Sequence, residues 1–199
     1  MSIENALSDP YTKWMEGKGP YASIVISSRV RLARNLNKFN FPHLHDEQSS
    51  REVLRLAKDA LTSEEMRQQV EGIDFSQTKD LSSHDLMLLV EKHLISPQFA
   101  ENEAAESGIA LSEDEAISVM VNEEDHLRLQ VLLPALQLKE AWSMASQVDD
   151  LLESKLDYAF DEQYGYLTCC PTNVGTGLRA SVMMHLPAIA MTNQANRFF

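Results

Sequence analysis

The chain has 199 residues, 44% hydrophobic and 24% charged, with a formal net charge of −13. That is enough for one domain with a sizeable core, and no apolar run approaches the roughly 20 residues a membrane helix needs. The acidic balance excludes a general nucleic-acid binder, which holds phosphates with clustered Lys and Arg, so any anion site here must rest on a local group of cations.

A cationic partner would be drawn to the chain as a whole. The first twenty residues carry Glu4, Asp9 and Glu16 and no continuous apolar stretch, so no signal peptide is evident and the expected compartment is the cytoplasm. Cys169 and Cys170 are neighbours, a poor geometry for a structural disulfide, in keeping with a reducing cytosol. Without C-x-x-C or H-x-x-x-H spacing they do not suggest zinc.

Taken in chain order, Ser23 to Ser28 (SIVISS) reads as a buried strand ending in the basic stretch RVRLAR. Arg29 and Arg31, two residues apart at that end, project to one face. Paired guanidinium forks suit phosphate oxygens, although two solvated surface arginines would share the spacing. Arg34 is read as a surface cation. His43 and His45 lie in a loop without a third ligand, so no metal is assigned to them. Apolar positions from Val53 to Leu61 predict a helix over 47–69, and SHDLMLLVEKH predicts another over 83–93 with Ser83 as N-cap. His93, near its end, is otherwise a helix-terminal His beside carbonyl groups.

Ile109 to Leu111 and Ala116 to Val121 read as strands joined by SEDE, and Leu127 to Leu133 as a third strand of an antiparallel meander. In that third strand Leu127, Leu129, Val131 and Leu133 share a buried face, leaving Arg128 and Gln130 on the other. The turn before it, Glu123-Glu124-Asp125-His126, is unusually rich in ionisable groups. A carboxylate there could hold a cationic substrate, take its proton or reach a metal, and an acidic hairpin is the plainer reading. Leu138 to Ala159 has the spacing of a long amphipathic helix, with Gly165 placed to stop it. Trp142, Met183 and Met184 read as core. The last third is expected to run strand, glycine loop, strand. In NVGTGLR, Gly175 and Gly177 let backbone N–H groups approach an anion beside Arg179, although the loop is no Walker motif. Cys170, before Pro171, is a candidate thiolate tuned by nearby cations or an inert buried Cys. The final LPAIAMTNQANRFF looks like a helix cut short. Together these elements predict an α+β domain on an antiparallel sheet flanked by helices.

SSRVRLARN, EKHLISP, NEEDHLRLQ and CPTNVGTGLRAS occur in register, and with them the chain resembles the catalytic domain of the phosphagen (guanidino) kinase family from about residue 11 to its end. It is most similar to a bacterial subgroup acting on arginine side chains of proteins. The resemblance implies a glutamine-synthetase-like sheet in one catalytic-type domain over 1–199, with 1–20 as a short lead-in. It implies transfer of the γ-phosphoryl of Mg-ATP to protein arginine, marking targets for regulated proteolysis in stress responses. By the same resemblance Arg29, Arg31, Arg128 and Arg179 clasp the phosphates, with Ser27, Ser28 and Val30 on the same segment. His93 approaches the base or ribose, and Ala180, Ser181, Val182 and Met183 form the nucleotide wall. Glu124 matches the catalytic carboxylate, Glu123 its support, and Cys170 the reactive cysteine, while Asp125 shapes the turn. Cofactors would be ATP and Mg2+. Partners would be protein substrates with exposed arginine, an activator protein and a proteolytic chaperone, without nucleic acid or membrane, and self-association is left open. The family's second carboxylate and a further phosphate-binding Arg fall beyond Phe199, so the resemblance implies a truncated form. A metabolite phosphagen kinase and an inactive nucleotide- or partner-binding fragment are the alternatives.

Overall fold

The computed structural model of the chain describes residues 2–44, 46–101, 106–192, 194 and 197. His45, in the loop-histidine reading, and the terminal Phe198 and Phe199 lie outside the described residues. Helices α1 (Ser2–Ser8), α2 (Glu47–Leu61), α3 (Glu64–Gln69), α4 (Ser83–Glu91), α5 (Pro97–Glu101), α6 (Leu138–Glu153) and α7 (Pro187–Met191) accompany eight strands. The strands are β1 (Val25–Arg34), β2 (Asp74–Gln77), β3 (Gly108–Leu111), β4 (Ile117–Val121), β5 (Leu127–Pro134), β6 (Phe160–Asp161), β7 (Gly165–Tyr166) and β8 (Leu178–Met184). Six form one antiparallel sheet in the order β2-β3-β4-β5-β1-β8, and β6 and β7 make a small hairpin. The α+β reading and the β3–β4–β5 meander are therefore observed.

Strand alternation gives the sheet two different faces. Val30, Leu32, Val119, Leu129 and Val131 point to one side and pack beneath α2, α3 and α6 in the main core. The other side is covered by α-helices only toward β2, β3 and β4, where α1, α4 and α5 bring Ile3, Ala6, Leu89 and Phe99 onto Ile109, Leu111 and Met120. Over β5 and β1 that second face carries, among the described residues, only the short 3-10 turn Lys13–Glu16 with its buried Trp14, and the rest of it is open.

Several expected boundaries move. The first strand does not stop before the basic stretch but runs through it, because Val30 and Leu32 continue the buried alternation; Arg29 and Arg31 thus sit mid-strand. The helix expected over 47–69 breaks at Thr62 and Ser63, whose hydroxyls compete for backbone groups. Thr62 Oγ1 donates to the Lys58 carbonyl (2.8 Å), and Ser63 caps α3 by accepting from Met66 N. Ser82, not Ser83, caps α4, with Asp85 completing a capping box. Helix α6 ends at Glu153; Leu156 is buried in the turn that closes it (Leu156 N to Leu152 O, 2.8 Å), and Ala159 in extended chain bonded beside the end of β1: Asn37 N to Asp157 O (2.8 Å) and Ala159 N to Asn35 O (2.7 Å). Gly165, at φ 78°, turns the β6–β7 hairpin, where a Cβ would lie 2.5 Å from the Gly175 carbonyl. Trp142, Met183 and Met184 are exposed rather than core, the first on the outer side of α6 and the others on edge strand β8.

Candidate active site

Directly opposed residues in antiparallel strands share a face. Arg31 stands opposite Gln130 and Arg179, Arg29 opposite Leu132 and Ser181, and Arg128 opposite Ala33 and Met120. Arginines separated by up to 150 residues are thereby gathered on the open face. The crowding is visible in their protonation. Burial, then the neighbouring Arg29, Arg128 and Arg179, push the Arg31 guanidinium down to about 10, with Glu123 acting in the opposite direction. Arg29 is lowered by burial, then by Arg128 and Arg179. Arg31 Nε is buried with no hydrogen-bond partner among the described residues. A cluster of cations with an unsatisfied donor fits a polyanion, which would supply acceptors and relieve the repulsion.

The acidic turn divides its labour. Asp125 and His126 are buried and point inward. Asp125 Oδ1 accepts from Asn35 Nδ2 (2.6 Å) and Cys169 N (2.7 Å). His126 Nδ1 accepts from Leu36 N (2.8 Å), which leaves the proton on Nε2, 3.0 Å from the Asn40 carbonyl. These bonds tie the turn to the end of β1 and to the cysteine loop. Glu123 pairs with Arg128, whose Nη1 donates to both carboxylate oxygens at 2.5 and 2.6 Å. Glu124 is exposed, and its carboxylate makes no hydrogen bond or salt bridge to a described residue. It lines a cleft of ≈ 190 Å³ together with Arg31, Arg128, Cys170, Asn173 and Arg179.

The groove continues along the sheet. A middle cleft of ≈ 280 Å³ is bordered by Arg29, Arg31, His93, Ser96, Gln98 and Arg128, and an end cleft of ≈ 240 Å³ by Trp14, Ser27, Arg29, His93, Ser181, Val182 and Met183. His93 adopts φ 61°; Gln130 Nε2 donates to its carbonyl (2.8 Å), and the Trp14 ring lies 5.4 Å from its imidazole. Trp14 is fixed in turn by donating to the Lys92 carbonyl (3.0 Å). Lys92 is buried, its ammonium donating to Ala6 O, Asp9 O and Glu115 Oε1 at 2.7, 2.9 and 2.8 Å. The lead-in segment is thus anchored beside the groove.

Of the sequence-derived residues, the structure brings together Ser27, Arg29, Arg31, His93, Glu123, Glu124, Arg128, Cys170, Arg179, Ser181, Val182 and Met183. Ser28, Val30 and Ala180 belong to the opposite face by alternation, as does Val182 opposite Ser28, although Val182 borders the end cleft. The Val30 side chain lies in the main core, and Ser28 Oγ donates to the Ala135 carbonyl (2.7 Å). Arg34, read as a surface cation, is buried. It meets Asp149 through Nε–Oδ1 (3.1 Å) and Nη2–Oδ2 (2.6 Å), donates to the Thr176 carbonyl (2.9 Å) and lies 3.7 Å over the Tyr166 ring. Gly177, at φ 62°, passes so close that a Cβ there would lie 2.4 Å from Arg34 Nη1. The glycine of this loop is therefore required by packing against Arg34. Cys170 Sγ is 3.0 Å from Thr172 Oγ1. The Cys169 thiol is pushed up to about 12 by burial and by Asp125.

Trp14 and Ser96 escaped the sequence reading. The Ser-Pro step of HLISPQ could have marked Ser96 as the start of a helical turn; Trp14 has no local signal.

Residues 52–199 match the family model described as ATP:guanido phosphotransferase, C-terminal catalytic domain. A protein-arginine kinase of Desulforamulus reducens is 52% identical over 196 residues, covering 98% of this chain and 55% of the relative. One of Symbiobacterium thermophilum is 53% identical over 199 residues, covering 100% and 56%. The chain thus spans about half the length of the curated relatives it matches. Among solved structures, the duplicated taurocyamine kinase of Schistosoma mansoni with transition-state-analogue components superposes with a TM-score of 0.80 at 21% identity, over 98% of this chain and 30% of that one. A lombricine kinase superposes at 0.70 and 18% identity, over 98% and 60%. At these identities the superpositions speak for the fold.

Proposed function

This chain belongs to the ATP:guanido phosphotransferase family, and from that membership we propose that its groove binds Mg-ATP and directs the γ-phosphoryl group to the guanidinium of a protein arginine. The observation that carries the reading is the convergence of Arg29, Arg31, Arg128 and Arg179 on one sheet face with Glu124, whose carboxylate is unpaired among the described residues, at the same cleft.

Phosphoryl transfer asks for alignment and charge neutralisation. In this reading the arginines hold the phosphate oxygens, and the His93–Trp14 end receives the nucleoside. Among the described residues no cluster of three or more His, Cys, Asp or Glu could cage a metal. Magnesium would be carried on the phosphates, its usual manner in such sites, where it would neutralise charge. A guanidinium is a weak nucleophile because its lone pairs are delocalised. Glu124 would orient it and take the proton released as the N–P bond forms and the bond from γ-phosphorus to the ADP oxygen breaks. Cys170, in the same cleft, would act by position and charge.

Residues 1–199 are read as one catalytic-type domain with 1–20 as lead-in. Marking of targets for proteolysis, an activator protein, a proteolytic chaperone and a cytoplasmic setting belong to this proposal by resemblance. No helix among the described residues is long and apolar enough to cross a membrane.

Incubation with Mg-ATP and an arginine-rich protein should yield acid-labile phosphate, assignable to arginine by mass spectrometry. Glu124→Gln should reduce the rate at least ~100-fold with MgADP affinity within about twofold of wild type. Transfer confined to free guanidines would favour a metabolite kinase; MgADP binding with no transfer would favour a binding module.

A further inference from the structure

We propose that Ser96 is a positioning residue for the phosphate-binding site, acting through Glu123 on Arg128; this rests on the phosphotransfer reading above. Ser96 lies between α4 and α5, on the rim of the middle cleft. Its hydroxyl is committed in both directions. It donates to Glu123 Oε1 (2.6 Å) and accepts from Phe99 N (3.1 Å), so the rotor has one orientation. The Glu123 side chain is only 5% exposed and its carboxylate is saturated. Oε1 receives Ser96 and Arg128, while Oε2 receives Arg128 and the Glu124 backbone N–H (3.0 Å).

Two consequences follow from this connectivity. Arg128 is held by Nη1 alone, leaving Nη2 and Nε without a hydrogen bond to the described residues and available to an anion on the open face. Glu123 cannot serve as the proton acceptor, since its charge is spent on Arg128 and its lone pairs are occupied; that leaves the task to Glu124, whose backbone it fixes. Ser96 is the link between this unit and the apolar cluster beneath it, because its second partner belongs to the segment that buries Phe99. Without the hydroxyl, the Glu123–Arg128 pair keeps its internal bonds but loses its tether, and Arg128 no longer meets the phosphates at a fixed position.

The test is MgADP titration calorimetry on this chain, with tripolyphosphate and adenosine in parallel. Ser96→Ala should weaken MgADP and tripolyphosphate about fivefold and leave adenosine unchanged, and Ser96→Thr should restore both. In an Arg128→Ala background, Ser96→Ala should have no further effect. A helix-capping role alone would lower the melting temperature in both backgrounds without moving anion affinity. Ser96→Asp separates the two, since it keeps a cap for Phe99 N but sets a like charge against Glu123; it should melt near wild type and bind anions more weakly than the Ala variant. Undiminished tripolyphosphate binding by Ser96→Ala, or an equal loss with and without Arg128, overturns the proposal. Failure of the wild type to bind MgADP overturns the phosphotransfer reading itself and this inference with it.

Discussion

The buried Arg34–Asp149 pair supports the site from behind, and cutting it should separate two kinds of cost. Both side chains are nearly inaccessible, 4% and 9% exposed, and meet through bonds of 3.1 and 2.6 Å. Removing one partner strands the other's charge in the interior, at about 3–5 kcal/mol. At roughly 2–4 °C per kcal/mol for a domain of this size, that is on the order of 10 °C in melting temperature. The two halves are not equivalent. Asp149→Leu leaves a guanidinium that cannot shed its proton. Arg34→Met leaves a carboxylate that can gain one, and burial already raises Asp149 above the ordinary carboxyl value, with Arg34 the main opposing influence. In Arg34→Met the folded state therefore takes up this proton before the unfolded chain does. Stability relative to wild type should recover as pH falls through the raised value and be poorest above it. Chemical denaturation from pH 4 to 8 measures this. The double variant should be about 2 kcal/mol more stable than Asp149→Leu alone. If the single costs add within about 0.5 kcal/mol, or the Arg34→Met deficit is independent of pH, the reasoning fails.

The arginine cluster predicts that anions stabilise the fold. Tripolyphosphate at about 100 times its dissociation constant should add roughly 2.7 kcal/mol, an increase of about 5–11 °C in melting temperature, and Arg31→Ala should remove most of it. The same increase in Arg31→Ala would place anion binding elsewhere. The cysteines should react unequally: with its thiol held up to about 12, Cys169 should remain unlabelled by iodoacetamide at pH 8 while Cys170, at the cleft, is modified. Peptide mapping that finds Cys169 labelled as fast as Cys170 contradicts the burial argument.

What the sequence made legible was periodic, and what it concealed was long-range. Alternation in β1 and β5 assigned Arg29, Arg31 and Arg128 to the polar side of their strands, and the motifs named Arg179, but only the pairing of β1 with both β5 and β8 puts them in adjacent rows. Arg34 broke the expectation because a cation stands at a buried-face position, in step with Val30 and Leu32 and opposite Leu127; its partners, Asp149 and the Thr176 carbonyl, lie more than 100 residues away. Lys92 was hidden because its partners too are distant in sequence: its acceptors come from α1, from Asp9 just after it and from Glu115 before β4. In the helix expected over 47–69 the break was local, yet Thr62-Ser63 looks like ordinary polar surface until its hydroxyls are seen bonded to the backbone.

These hidden contacts explain how a chain of net charge −13 can keep four arginines together. Repulsion among them favours any motion that spreads them apart, and Glu123 is the one acid salt-bridged to the cluster among the described residues. The opposing force comes from the scaffold. β1 is fixed on both sides by strands, its end is held by Asn35, Asp125 and His126, and the glycine loop before Arg179 is clamped by Arg34. A single counter-carboxylate leaves the cluster underneutralised, with donors to spare, which is the condition an arriving phosphate chain requires. A second acid salt-bridged there would relieve the strain and compete with the ligand for the same guanidinium groups. On the proposed function, the placement of Asp125 and His126 inward, away from the groove, serves binding as much as folding.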